Sequence, residues 1–306
     1  MLWEQLLSLK RFGDKAKRIR KNQDDTRLGF EVDYDRIIFS SAFRSLQDKT
    51  QIIPFSQTDF VHTRLTHSLE VSVVGRSLGR MAGKNILQKY PDLRDNLGYQ
   101  INDFGAIVAA ASLAHDIGNP PFGHSGEKAI GHYFFHGNGS RYKNQLTDKQ
   151  YQDLCQFEGN ANGFKILSQS KPGTPGGLRL SYATLGAFIK YPKASLPYRP
   201  TSHVAHKKFG YFQAQEPFFK ELMTELNLND KKIVNRHPLA YLVEAADDIC
   251  YTIIDFEDGI HLGWIEEEYA LEYLINLVKN DIDTLKYSKL QNRKQRLSYL
   301  RSLSIN

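Results

Sequence analysis

Residues 104–121 read FGAIVAAASLAHDIGNPP, and this stretch decides the fold. Its first eleven residues are apolar nearly all round, which suits a helix buried on every side. The run ends in His115-Asp116, and Gly118 and Pro120 stop the helix there. Taken alone, an HD dipeptide is more often a cap than a ligand pair. Here, however, an ionised carboxylate at the end of a buried helix is costly unless it is paired or bound to a cation.

Outward from this stretch the helical period continues. Residues 35–48 (DRIIFSSAFRSLQD) place Ile37, Ile38, Ala42, Phe43 and Leu46 on one stripe, and residues 66–82 place Leu69, Val73, Val74, Leu78 and Met81 on another. Segments 126–136, 160–170, 180–190, 216–227, 238–258 and 266–281 also read as helices. Short β-branched runs such as Gln51-Ile52-Ile53-Pro54 support nothing beyond a hairpin. The predicted architecture is all-α, with at most a small β-hairpin. Residues 171–177 and the proline-rich segment 191–200 read as loops. Without repeats or a low-complexity linker, residues 1–306 are expected to form one domain, with its metal-site core at about 60–260.

Composition excludes other classes. The 306 residues are 41% hydrophobic, which is ordinary for a globular protein, and 24% charged, which does not suit a disordered chain. No run approaches the roughly 18–20 apolar residues that span a bilayer. Nor does a basic region followed by an apolar one open the chain, so no secretory signal and a cytoplasmic location are expected. Cys155 and Cys250 are expected to be reduced core thiols. A net charge of +6 and a pI near 9.1 suit a polyphosphate or nucleic-acid partner, or equally a solvated basic surface. The basic stretch Lys10 to Arg27 reads as solvated or inter-subunit rather than as a nucleic-acid arm.

Two further helices carry residues that match the HD pair. His67 projects from an amphipathic helix, and Asp247, Tyr251 and Asp255 recur every four residues along 241–255, which puts them on one face. That face is either a solvated acidic stripe or the source of a fourth ligand. A mixed imidazole and carboxylate set suits Mn²⁺, Fe²⁺, Co²⁺, Ni²⁺ or Zn²⁺, and tolerates Mg²⁺ less well. His124 and Glu127 lie three apart at a helix start and share a face, so Glu127 can orient the imidazole. His132 and His136 are spaced for a metal but read as a surface pair.

The order His, His-Asp, Asp across three helices resembles the HD superfamily. Four strings carry a closer resemblance: RLTHSLEV at 64–71, HDIGNPPFGHSGE at 115–127, FEGNA at 157–161 and AADDI at 245–249. Together they are similar to the bacterial deoxyguanosine triphosphate triphosphohydrolases, over roughly residues 17–306. That resemblance implies hydrolysis of a dNTP to deoxynucleoside and inorganic triphosphate, by water attack at the α-phosphorus. It implies one divalent metal per subunit (Mn²⁺, Mg²⁺, Co²⁺ or Fe²⁺) on His67, His115, Asp116 and Asp247, with His124 and Glu127 as the catalytic pair. Substrate contacts would fall on Gln51, Arg64, Glu158, Lys190, Tyr191, Lys208, Tyr251 and Asp255. Gln51 would meet the 3′-hydroxyl, Tyr251 the deoxyribose, and Lys190 and Lys208 the phosphates. A homo-oligomer is implied, with single-stranded DNA as a partner of some relatives and a C-terminal portion continuing past residue 306. The alternatives are an HD nucleotidase or phosphodiesterase acting on mono- or cyclic nucleotides, and a nucleic-acid-binding protein with a decayed HD site.

Overall fold

The chain folds as a succession of helices. In order they are α1 (Trp3–Leu6), α2 (Gly29–Ile38), α3 (Ser41–Arg44), α4 (Arg64–Lys89), α5 (Asp92–Asp95) and α6 (Ile101–Ala114). There follow α7 (Gly123–Phe135), α8 (Asp148–Cys155), α9 (Gly159–Ser168), α10 (Tyr182–Phe188), α11 (Glu216–Glu225) and α12 (Ala240–His261). One antiparallel hairpin pairs Asn229–Asp230 with Ile233–Val234, so the all-α expectation holds with its small hairpin. This computed structural model describes residues 2–24, 26–55, 61–170, 172–173, 175–197, 204–230, 233–266, 269, 273, 276, 280, 282–292, 294–296 and 298–299. The helix expected at 266–281 lies largely outside them. Residues 1–251 and 252–306 form two compact units. In the second, Phe256 packs on Tyr273 and Asp283 caps the short helix Thr284–Ser288. Among the described residues no helix is long and apolar enough to cross a membrane.

The first unit is built around α6, which is buried along nearly its whole length and packs against α4, α2 and α10. Phe104, Ile107, Val108 and Leu113 reach the core from it, where Phe30, Ile37, Phe164, Leu167 and Tyr182 meet them. The apolar stripe expected on α4 meets this core only in part: Leu69 packs against it, and Val74 and Leu78 are partly buried. Val73 and Met81 are exposed, whereas Val71, Ser72, Gly75, Gly79, Gly83 and Leu87 are buried. Small residues mark the contact because α4 and α6 touch backbone to backbone. A Cβ on Gly79 would lie 2.6 Å from the Phe104 carbonyl oxygen, and one on Gly83 would lie 2.8 Å from the Phe104 ring.

The single helix expected at 35–48 is also broken. Helix α2 ends at Ile38, and Ser40 caps α3 by accepting the Phe43 N–H at 3.1 Å. Helix α4 starts on a reciprocal capping pair, Thr63 and Thr66. The basic N-terminal stretch is not simply solvated. Buried Arg11 pairs with Asp33 at 2.6 Å, and Asp33 in turn accepts the Ser181 N–H and the hydroxyls of Ser181 and Thr184. Buried Arg20 reaches Asp103 at 2.9 Å. Both cysteines are free thiols, Cys250 buried and Cys155 partly so.

Two tests follow from the packing. In an open helix Gly→Ala stabilises by roughly 0.8–1.0 kcal/mol. Gly79→Ala should instead lower stability by about 1–3 kcal/mol, because the new methyl meets a carbonyl on a close-packed helix. Urea denaturation checks the sign, and a stabilised variant would mean that the two helices separate freely.

His237 is buried, 3.0 Å from the Leu6 carbonyl through Nε2 and 3.1 Å from the Leu239 N–H through Nδ1. One nitrogen must donate and the other accept, so the ring is held neutral. Burial drives its pKa from 6.5 down to about 4, against the opposing pull of the Leu6 carbonyl. The unfolded imidazole takes its proton near 6.5 and the folded one only near 4. Stability from this group is therefore full above pH 6.5 and lost as pH falls to about 4, by up to about 3 kcal/mol. His237→Gln should flatten that part of the curve in urea midpoints taken at neutral and acidic pH. An unchanged slope would remove His237 as its source.

Candidate metal centre and adjoining cleft

The close approach of α4 and α6 places two imidazoles face to edge, with ring centroids of His67 and His115 5.3 Å apart. His67 sits in the first turn of α4 and is fully buried. His115 caps the end of α6, where its Nδ1 lies 2.7 Å from the Ser112 carbonyl. That bond makes Nδ1 the donor and leaves the Nε2 lone pair pointing inward, the arrangement a metal-binding histidine needs. From α12, Asp247 Oδ1 comes within 3.0 Å of His67 Nε2 and 3.5 Å of His115 Nε2. Asp116 Oδ1 lies 3.5 Å from the same His115 nitrogen. Ligand atoms of His67, His115 and Asp116 all fall within 4.8 Å of one another.

The electrostatics have one cause. Burial alone would lower the His115 pKa, yet Asp116 and Asp247 outweigh it and raise the group to about 9. Burial likewise opposes ionisation of Asp247, but the His115 and His67 imidazoles hold it far below the usual carboxylate range. Two convergent carboxylates thus draw a proton onto the imidazole for the same reason that they would draw a cation. Donor types, converging lone pairs and excess acidity all fit a divalent metal of the N/O-binding kind.

Around the ligands lies a second set. Arg64 ion-pairs with Asp116, although its expected role is toward substrate, and its buried Nε has no partner among the described residues. Asn119 donates to the other Asp116 oxygen, and Lys49 Nζ donates to the Asn119 carbonyl at 2.7 Å. The turn into α7 is left-handed at Phe122 (φ +64) and Gly123 (φ +50). A Cβ on Gly123 would lie 2.6 Å from the Arg64 guanidinium, so only glycine leaves room there.

Beyond this turn is a cleft of about 450 Å³ lined by His124, Glu127, Glu158, Lys193, Lys207 and Lys208 among others. His124 is exposed and Glu127 buried. The two are not hydrogen-bonded: Glu127 accepts the Gly159 N–H at 2.7 Å and lies 3.7 Å from Lys208. Lys208 is nearer Glu158, at 3.0 Å. Burial raises the Glu158 pKa, with Lys208 opposing the rise and Glu127 adding to it. Gly118 and Gly159 let the HD loop lock onto the start of α9, since a Cβ on Gly118 would lie 2.1 Å from the Gly159 carbonyl oxygen.

The remaining expected substrate residues are placed as follows. Lys190 pairs with Glu244 at 3.1 Å and buried Tyr191 follows it. Gln51 presents a buried Oε1 with no hydrogen-bond partner among the described residues. Tyr251 lies one turn after Asp247 and is half-exposed, and Asp255 falls in the second unit, one turn further along α12. Lys49, Asn119, Arg236 and Glu244 were not singled out from the sequence. Asn119 could have been, since it stands inside the HDIGNPP string; the other three are isolated polar residues without spacing to mark them.

The HD domain family matches residues 64–155. A deoxyguanosinetriphosphate triphosphohydrolase-like protein of Pseudomonas aeruginosa (strain LESB58) is 44% identical over 100% of this chain and 68% of its own length. One of Synechocystis is 43% identical, over 100% and 70%. A deoxyguanosinetriphosphate triphosphohydrolase of Yersinia enterocolitica is 36% identical, over 89% and 58%.

If Asp247 completes the ligand set, Asp247→Ala should lose metal while keeping its helical circular dichroism. Metal content after Mn²⁺ loading and desalting is the measurement. Stoichiometric metal in the variant would take Asp247 out of the set.

Proposed function

This chain belongs to the deoxyguanosinetriphosphate triphosphohydrolase-like family of HD-domain proteins, and we propose that it is a metal-dependent dNTP triphosphohydrolase. The observation that carries the proposal is the convergence of two imidazoles and two carboxylates beside a lysine-lined cleft. His67, His115, Asp116 and Asp247 would hold the cation. When bound, a divalent cation supplies Lewis acidity for deprotonating the attacking water and polarising the α-phosphoryl group.

This chain's own residues do the rest. Water attacks the α-phosphorus, the bond from phosphorus to the 5′-oxygen breaks, and that oxygen leaves with a proton. His124, exposed at the cleft, would give that proton as general acid. Glu127 sits one turn along α7 and lines the same cleft. Arg64, Lys190 and Lys208 neutralise charge on the phosphates, the larger part of the work in phosphoryl transfer. Gln51 brings a buried acceptor, unpaired among the described residues, that suits the sugar 3′-hydroxyl. Tyr251 would close the space beside the deoxyribose where a 2′-hydroxyl would intrude. Exposed Phe39, Val73 and Met81 offer apolar surface for the homo-oligomer that belongs to this reading.

Incubating the Mn²⁺-loaded protein with each dNTP and resolving the products tests it. Free inorganic triphosphate and deoxynucleoside are expected. Hydrolysis of mono- or cyclic nucleotides without triphosphate release would replace this reading with a nucleotidase or phosphodiesterase. His124→Ala should lower turnover by roughly 10²–10⁴-fold with metal retained, the usual cost of losing acid–base help. A near-normal rate would remove His124 from the mechanism.

A further inference from the structure

The fold does not leave Lys190 as a free arm. Its Nζ lies 3.1 Å from Glu244 Oε1, and the other oxygen of that carboxylate accepts from Arg236 Nη1 at 2.7 Å. Arg236 is itself fixed. Its side chain has no exposed surface, its Nη2 donates to the Val204 carbonyl at 3.3 Å, and its guanidinium lies over the rings of Tyr191 and Tyr241 at 5.5 and 5.2 Å. A buried arginine therefore anchors a carboxylate, and the carboxylate anchors the lysine. Glu244 stands three residues before Asp247, so α12 carries both the carboxylate of the candidate metal centre and the one that holds Lys190.

We propose that Glu244, backed by Arg236, is a positioning residue that fixes the Lys190 ammonium where it meets the phosphate oxygens of a polyphosphate. The proposal rests on the reading above, in which Lys190 contacts phosphate. Lysine carries a compact charge on a flexible stem, and ordering that stem costs entropy at binding unless it is paid during folding. Stability is not what the pair supplies: Lys190 is 29% exposed and Glu244 22%, and ion pairs that wet contribute little. Placement is what it supplies. An ammonium has three donors, so the bond to Glu244 leaves two for phosphate.

The test uses inorganic triphosphate as the probe and calorimetric titration of Mn²⁺-loaded wild type, Glu244→Gln, Lys190→Ala and the double variant. Lys190→Ala should weaken triphosphate binding about tenfold, and Glu244→Gln about three- to tenfold. The double variant should bind no more weakly than Lys190→Ala alone, because Glu244 acts through the lysine. Glu244→Asp, which keeps the charge, should recover part of the loss. In dNTP turnover, Glu244→Gln should raise KM by a similar factor and leave kcat within about twofold.

Losses that multiply in the double variant would overturn the proposal, as would unchanged or tighter binding in Glu244→Gln. Unchanged binding in Lys190→Ala would overturn it as well. Wild type that binds triphosphate in the expected pattern, yet releases none from any dNTP, would sink the functional reading and leave the positioning role standing.

Discussion

Everything at the site depends on how closely α4 lies on α6. Glycine at 75, 79 and 83 lets the helices approach until backbone meets backbone, and that approach brings His67 within reach of His115. A wider separation, such as interdigitating leucines would set, would move the two imidazoles apart by more than a metal can bridge. The first turn of α4 and the last of α6 are thus both packing elements and chemistry. Rigidity is inherited from the core, since the His115 and Asp116 backbone continues a helix with almost no exposed surface.

Charge explains the rest of the arrangement. Asp116 and Asp247 are two acids in a confined space, and each is matched: Asp116 by Arg64 and Asn119, Asp247 by the two imidazoles. Unmatched, either carboxylate would have to be neutralised by a proton instead. The left-handed turn at Phe122 and Gly123 belongs to the same economy of space, because it clears the volume that the Arg64 guanidinium fills. Strain at Phe122 is retained where it serves the site.

How much of this was legible in the sequence varies with the physics involved. The buried helix, the HD pair and the four-residue recurrence on α12 were readable because apolar periodicity and ligand spacing are local properties. The outward-facing Val73 and Met81 were not: hydrophobic counting favours large residues, whereas the α4–α6 contact is made by small ones. Ion pairs were hidden for another reason. Nothing in the spacing of Arg11 and Asp33 reveals their ion pair, and nothing in that of Arg236 and Lys190 reveals a shared carboxylate, because those contacts are made by tertiary folding. Even the His124 and Glu127 spacing, correct as a shared helix face, did not reveal that Glu127 turns to the Gly159 N–H.

The cations expected to meet phosphate share one property. Arg64 is on Asp116, Lys208 on Glu158 and Lys190 on Glu244. Each is held by a carboxylate before any ligand arrives, so its flexible stem is ordered during folding while it keeps further donors for an anion. Ordering matters most for an anion long enough to meet several of these groups at once. Such an anion would lose translational freedom once while its contacts add, and none of the cations would have to be fixed at that moment. A single phosphate, reaching one of them, would gain the least from their being held in advance, so pairing of this kind favours a long polyanion over a short one.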